Sequence, residues 1–391
     1  MTVDPAALVR DAAALVQVPS ATGSERAAME RLAELADGLG LEAELHEHDI
    51  GALRAHPSHP GEEAERDELV GLSVTLPGAP GAPRLCLNGH LDVVAPGTQE
   101  WRLGPWSGAV EDGFLHGRGS VDMKGAVAAA LHALAAVGET GCEVVLMAVA
   151  SEEDGGLGAF AALERDDRFD ACLIPEPTGF DVVCAQAGAL TFSGEVRGRA
   201  AHAALRLEGE SPIDAYLEVH RALAEHELRV NEDPAHPLMR ELDLPYPLSV
   251  GRLEAGEWSS TVPDRAAFEG RLGVRVGEPL DDAAAGLRDA LSDLPVQLRF
   301  DGARFASGET PAGHPFTRLV LDAFPGSRPV GVPYGADMRL FCERGIPCVM
   351  AGTHGLELAH ALDERVAVTD LVRLSEGILR VIRAFGSTLD G

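Results

Sequence analysis

The sequence predicts an α/β protein whose mixed, largely parallel sheet carries helices on both faces and is interrupted by a ferredoxin-like α+β domain. Three observations carry that prediction. Strand-length apolar runs alternate with helical patterns over residues 1–186, the arrangement of a parallel sheet crossed by helices. Between residues 187 and 301 the order becomes strand, helix, two strands, helix, strand, which builds a self-contained layer of two helices on four strands. The alternating style returns over residues 302–391. A chain of 391 residues also exceeds a single domain of roughly 100–200 residues.

Two helices open the chain. Asp4 caps the first, with Pro5 at its first position, and Ser24 caps a second that carries Met29, Leu32 and Leu35 toward Gly38. The polar stretch HPSHPGEEAERD (56–67), punctuated by Pro and Gly, reads as a surface loop with His56 and His59 in solvent. LVGLSVTL (69–76) and RLCLNGHLDVV (84–94) read as strands, 123–137 as a helix, and EVVLMAVA (143–150) and ACLIP (171–175) as strands. In the insertion, 190–198, 247–256, 266–276 and 295–302 read as strands, and 211–228 and 280–291 as helices. CVMA (348–351) is a last strand, followed by a helix from Thr369 with Leu371, Leu374, Ile378, Val381 and Ile382 at helical spacing.

Composition narrows the function classes. Against 62 acidic residues stand 32 basic ones, a formal charge of −30 that repels nucleic acid and anionic membrane surfaces. No stretch approaches the roughly 20 apolar residues of a membrane span, and the start lacks a basic leader before an apolar core, so a cytoplasmic protein is expected. The six cysteines form no CxxC pair and read as buried free thiols. Lys124 is the only lysine.

Residue types capable of chemistry gather where the strands end. In NGHLDVV, His90 and Asp92 share one side of a strand, where apolar Leu85 and Leu87 give way to polar residues. Such a pair is either a metal ligand held by its neighbour or a strand-end histidine beside a solvated aspartate. Asp122 opens an Ala-rich helix, as its cap or as a carboxylate crowded by Gly117, Gly119 and Gly125 into a bridging position. Lys124, two residues on, reads as an electrostatic partner rather than a nucleophile. Glu152 and Glu153 face different ways, so one can bind metal while the other handles a proton. Pro175 and Pro177 fix the direction of Glu176, and AGTHGLELAHALDE offers His354, His360 and Glu364. Together His90, Asp122, Glu153, Glu176 and His360 supply two imidazoles and three carboxylates, a balanced set for two divalent ions with one carboxylate bridging.

At these residues the chain resembles the dinuclear zinc amidohydrolase and exopeptidase family of acetylornithine deacetylase, succinyl-diaminopimelate desuccinylase, aminoacylase and glutamate carboxypeptidase. NGHLDVV, WRLGPWSGAVEDGFLHGRGSVDMKG, ASEEDGG, IPEPTG and AHALDE occur in the family's order and spacing, over nearly the whole chain. The resemblance implies that 1–186 and 302–391 form a catalytic domain and that 187–301 is a lid that dimerises. It implies two metal ions, Zn2+ with Co2+ or Mn2+ as alternatives. His90 and Glu176 would be terminal ligands of one, Glu153 and His360 of the other, and Asp122 the bridge. Asp92 would orient His90, and Glu152 would be the general base for a metal-bridging water that attacks an amide carbonyl. His202, in GRAAHAALRLEGESPIDA, would reach a partner's active site to stabilise the oxyanion, although Leu205-Arg206-Leu207 stands where relatives often carry a proline.

The implied activity is hydrolysis of small N-acyl amino acids, in the manner of acetylornithine deacetylase, by a homodimer with no nucleic-acid or membrane partner. A dipeptidase or carboxypeptidase on the same centre is the alternative. A catalytically inactive binding protein is a third, opposed by the presence of all five ligands and the base. For the substrate carboxylate the candidates are Arg271 and Arg275, which flank Gly273 at the position of a family arginine, with Asp337 and Arg339 of YGADMR.

Overall fold

The computed structural model describes residues 2–387 and divides the chain into two compact units. The first runs to Cys184 and resumes over Glu309–Val330 and from Ala336 onward, and the second comprises Ala185–Gly308 and Gly331–Gly335.

The first unit is built on one mixed sheet. Its strands lie in the order Glu42–Glu47, Val70–Leu76, Glu143–Val149, Arg84–His90, Ala171–Ile174 and Cys348–Met350, with the last four mutually parallel. These four are almost wholly buried, which explains their continuous apolar runs. The Ala-rich helix Lys124–Val137 is buried nearly all round and packs against helices Pro5–Val16 and Val368–Ser387. The first helix starts as the sequence predicts: Asp4 Oδ1 accepts the Ala6 and Ala7 amides at 3.0 and 3.3 Å, with Pro5 in the first turn.

Two local expectations are corrected, and one strand is added. Ser24 does not cap the second helix, Arg26–Gly38, which begins at Glu25 without a side-chain cap. The Glu25 carboxylate turns inward to accept the Gly23 amide at 2.6 Å and faces Arg66 at 3.4 Å, and burial raises its pKa to about 7. The 56–67 stretch is not simply a surface loop. Arg66 is buried, with its guanidinium 2.9 Å from both oxygens of Asp154, which also accepts the Ala64 amide at 2.8 Å. The strand Glu42–Glu47 is additional: it is an edge strand with mostly exposed residues, so it has no apolar run to betray it. All six cysteines are free thiols, five of them buried and Cys342 half-buried.

The second unit is a four-stranded antiparallel sheet in the order Leu248–Ala255, Arg265–Val274, Gly188–Arg197 and Val296–Arg299, with helices Pro212–Asn231 and Leu280–Ala290. Numbered along the chain this is 2-3-1-4, the order of the split β-α-β-β-α-β pattern. Phe192, Tyr216, Val219, Leu223, Phe268 and Leu287 fill its core. The unit extends past residue 301, since Arg304–Phe305 adds a short strand beside Ala189 and Leu190. No described helix of either unit is long and apolar enough to cross a membrane.

Candidate metal centre

The carboxyl ends of three neighbouring parallel strands deliver four of the sequence-predicted residues. His90 ends Arg84–His90, Glu152 and Glu153 follow Glu143–Val149, and Glu176 follows Ala171–Ile174. Such strand ends are where open α/β sheets build their sites. Asp122 arrives from the loop before helix Lys124–Val137, and His360 from the loop after Cys348–Met350. The turn after Glu153 depends on two glycines. Gly155 has φ +145°, and a Cβ there would lie 2.3 Å from the Gly61 carbonyl oxygen. Gly156 has φ +75°, and its Cβ would lie 2.7 Å from Asp337 Oδ1.

The structure brings all five candidate ligands together around Asp122. His90 Nε2 lies 3.0 Å from Asp122 Oδ1 and 3.7 Å from Glu176 Oε1. His360 Nε2 lies 3.5 Å from Asp122 Oδ2 and 3.0 Å from Glu153 Oε2. The two oxygens of one carboxylate therefore face two different imidazoles, each with a second carboxylate beside it. Asp122 is not the helix cap: Met123 occupies that position, and the Asp122 side chain points to the histidines instead.

This donor set fits divalent cations. Among the described residues, neither the Glu152 nor the Glu176 carboxylate receives a hydrogen bond, although both are buried. Buried carboxylates in such numbers need a cation or a proton. Burial, reinforced by Asp337, Glu176 and Glu153, pushes the Glu152 pKa well above the carboxylate range, and burial with Asp122 does the same for Glu176. Burial would also raise Asp122, but His360 and His90 overcome it and hold Asp122 well below its usual range. Hydrogen bonds to Asp122 and Glu153 raise His360 to about 10.

Asp92 does more than its sequence position shows. The His90 Nδ1 atom is 2.8 Å from the Asp92 carbonyl oxygen and 3.5 Å from its carboxylate. The carboxylate accepts the amides of Glu152 and Glu153 at 3.2 and 3.1 Å, so one residue orients both the imidazole and the turn bearing two functional glutamates. Sequence reasoning missed this because the partners are 60 and 61 residues away.

The remaining candidates have other surroundings. In the first unit, Asp337 is buried and accepts Asn88 Nδ2 at 3.2 Å, while buried Arg339 donates to the carbonyls of Gly155 at 2.7 Å and Ala336 at 3.2 Å. Arg339 thereby holds the glutamate-bearing turn. In the second unit, Arg275 donates to the Val230 and Arg229 carbonyls at the end of helix Pro212–Asn231, where a cation is favoured. Arg271 is half-buried with one long contact, 3.4 Å, to the Pro333 carbonyl. His202 is exposed and accepts the Ala204 amide at 3.2 Å.

A fold with its site at the carboxyl edge of a mixed sheet and an acid- and histidine-rich donor set defines a class of metal-dependent hydrolases. The chain belongs to peptidase family M20/M25/M40, whose sequence model matches residues 86–384. It is 30% identical to a succinyl-diaminopimelate desuccinylase of Methylorubrum extorquens, covering 96% of this chain and 97% of that protein. It is 32% identical to a succinyl-diaminopimelate desuccinylase of Maricaulis maris, covering 78% and 82%. Among solved structures, an M20 family metallo-carboxypeptidase from Sulfolobus solfataricus superposes with TM-score 0.76 at 15% identity, covering 97% of this chain and 99% of that one. The aminopeptidase PepT of Bacillus cereus superposes with TM-score 0.71 at 21% identity, covering 98% and 99%. At these identities the structural likeness establishes the fold.

Proposed function

We propose that this chain hydrolyses the amide bond of N-acyl amino acids, with His90, Asp122, Glu153, Glu176 and His360 holding two divalent ions, Zn2+ first and Co2+ or Mn2+ as alternatives. The observation that carries the reading is the Asp122 carboxylate with a histidine against each oxygen, at 3.0 and 3.5 Å. Bound there, the ions would polarise the amide carbonyl and acidify the attacking water. The chain's own residues handle the proton. Glu152 takes it as the water oxygen bonds to the carbonyl carbon, then passes it to the amide nitrogen as the C–N bond breaks, leaving a carboxylic acid and an amine. Asp92 fixes where Glu152 stands through the amide contact at 3.2 Å.

Relatives named for succinyl-diaminopimelate put a succinyl amide at the head of the substrate panel. We assign 187–301 as the lid and the dimer contact, with His202 serving a second protomer's reaction. In support, the edge strand Leu248–Ala255 is mostly exposed, and Leu217, Leu228 and Leu253 lie 58%, 70% and 50% exposed on the same unit. Six free thiols suit a cytoplasmic setting.

The test is turnover of the Zn2+-loaded protein on N-succinyl, N-acetyl and N-formyl amino acids beside dipeptides. The highest kcat/KM is expected on an N-acyl amino acid; faster cleavage of dipeptides throughout would replace this reading with an exopeptidase.

A further inference from the structure

We propose that Glu364 is a positioning residue that sets the spacing of the two loops carrying Asp122 and His360. The proposal rests on the dinuclear reading above. His90, Glu153 and Glu176 take their places from adjacent strands of one sheet, whereas Asp122 and His360 come from loops and need another device to hold them in register.

Glu364 is that device. It is buried, and four donors of the 118–122 segment converge on its carboxylate. Oε1 accepts the amides of Val121 at 2.8 Å and Asp122 at 3.2 Å. Oε2 accepts the Gly119 amide at 3.0 Å and Arg118 Nη1 at 2.8 Å. The clamp also reaches back to the other loop, because Arg118 Nη2 donates to the His360 carbonyl oxygen at 3.2 Å. The Gly117 amide donates to the Glu364 carbonyl oxygen at 2.9 Å, and next to it Arg365–Ala367 pairs with Phe114–His116.

The chemistry requires a glutamate. Four N–H groups pointing at two oxygens need a group that only accepts, and with both oxygens occupied Glu364 is not itself a ligand. Glutamine would turn an NH2 toward two donors, and aspartate would fall one methylene short. The backbone needs the restraint as well. His360 and Asp363 both hold left-handed φ, +60° and +58°, a conformation that non-glycine residues keep only where their surroundings enforce it.

The experiment is a Co2+ titration of metal-free wild type, Glu364→Gln, Glu364→Asp and Arg118→Gln. Binding is read by calorimetry and by the visible absorption of bound Co2+, with melting of each metal-free protein in parallel. Wild type should bind two Co2+. Glu364→Gln should bind Co2+ about 10- to 100-fold more weakly, with an altered absorption per ion. Glu364→Asp should lose less, and Arg118→Gln, which breaks only the arm to His360 and one donor to Glu364, least. If Glu364→Gln does not fold, the other two variants decide. Folded variants with wild-type affinity and absorption, whatever their melting temperature, overturn the clamp alone. A wild type that takes only one Co2+ overturns the dinuclear reading and the proposal with it.

Discussion

His90 and His360 stand against opposite oxygens of one carboxylate, yet the His90 side chain is 1% exposed and that of His360 51%. The His90 half rests on two parallel strands and an Asp92 contact, and its second carboxylate, Glu176, is locked between prolines. The His360 half joins the turn after a strand to a loop with left-handed backbone at the histidine itself. One half is built by the sheet; the other is held by a loop, through hydrogen bonds that single substitutions can remove. A site so divided should lose metal, and respond to pH, from its open half first.

The largest expected effect lies at Glu152, which serves both halves. Glu152→Gln keeps the shape and removes the proton acceptor, so turnover should fall by roughly 10²- to 10⁴-fold while metal content measured by elemental analysis is unchanged. Activity within a few-fold of wild type would remove Glu152 as the base.

The two histidines should then differ. His90→Ala leaves Asp122 and Glu176 buried without an imidazole between them, and is expected to weaken binding of both ions, since the bridge loses its orientation. His360→Ala should spare one equivalent. Equal losses in the two variants, read as ions retained after dialysis, would break the contrast between buried and open halves.

The contrast was only partly legible in the sequence. Continuous apolar runs ending in His90, in Glu152-Glu153 and near Glu176 announced a parallel sheet with polar residues at one edge, because burial on both faces leaves no room for alternation. Asp122 and His360 were identifiable as residue types, and the family resemblance put them in one centre, but spacing alone did not make them neighbours, since loops carry no periodicity. The Glu364 clamp links positions 242 to 246 residues apart, and Asp92 reaches over 60, distances at which spacing says nothing. Ser24 misled for the same reason: the helix begins instead at Glu25, whose carboxylate meets Arg66, 41 residues beyond.

A smaller effect follows from charge. In the metal-free protein Asp122 and Glu153 raise His360 to about 10, so near pH 7 the imidazole carries a proton that an incoming cation must displace. Affinity for the last ion should therefore rise up to about tenfold per pH unit below that value, and calorimetry in buffers of different ionisation enthalpy should register proton release. The same shift stabilises the metal-free fold. Its folded pKa lies above the unfolded 6.5, so the contribution is complete below about pH 6.5 and disappears as pH rises toward 10. A metal-free melting temperature that does not fall over that window in wild type relative to His360→Ala would contradict the assignment.

The smallest effect concerns Lys124, the only lysine, which sits inside the buried half two residues after Asp122. Its side chain is fully buried, Nζ donates to the Val18 carbonyl oxygen at 2.7 Å, and the Trp106 ring lies 5.3 Å away. Burial lowers its pKa to about 7, with Glu364 and Asp92 pulling the other way. An ammonium meets this pocket with one direct acceptor and one aromatic face. Arginine would bring a wider, permanently charged fork with five N–H donors into a fully buried space fitted to one ammonium and its bond to the Val18 carbonyl oxygen. Lys124→Arg should therefore lose about 1–3 kcal/mol, a melting shift of a few degrees, while His90 and Glu176 stay in place. Wild-type melting in that variant would show that the buried half tolerates exchange, and that the lysine reflects composition rather than packing.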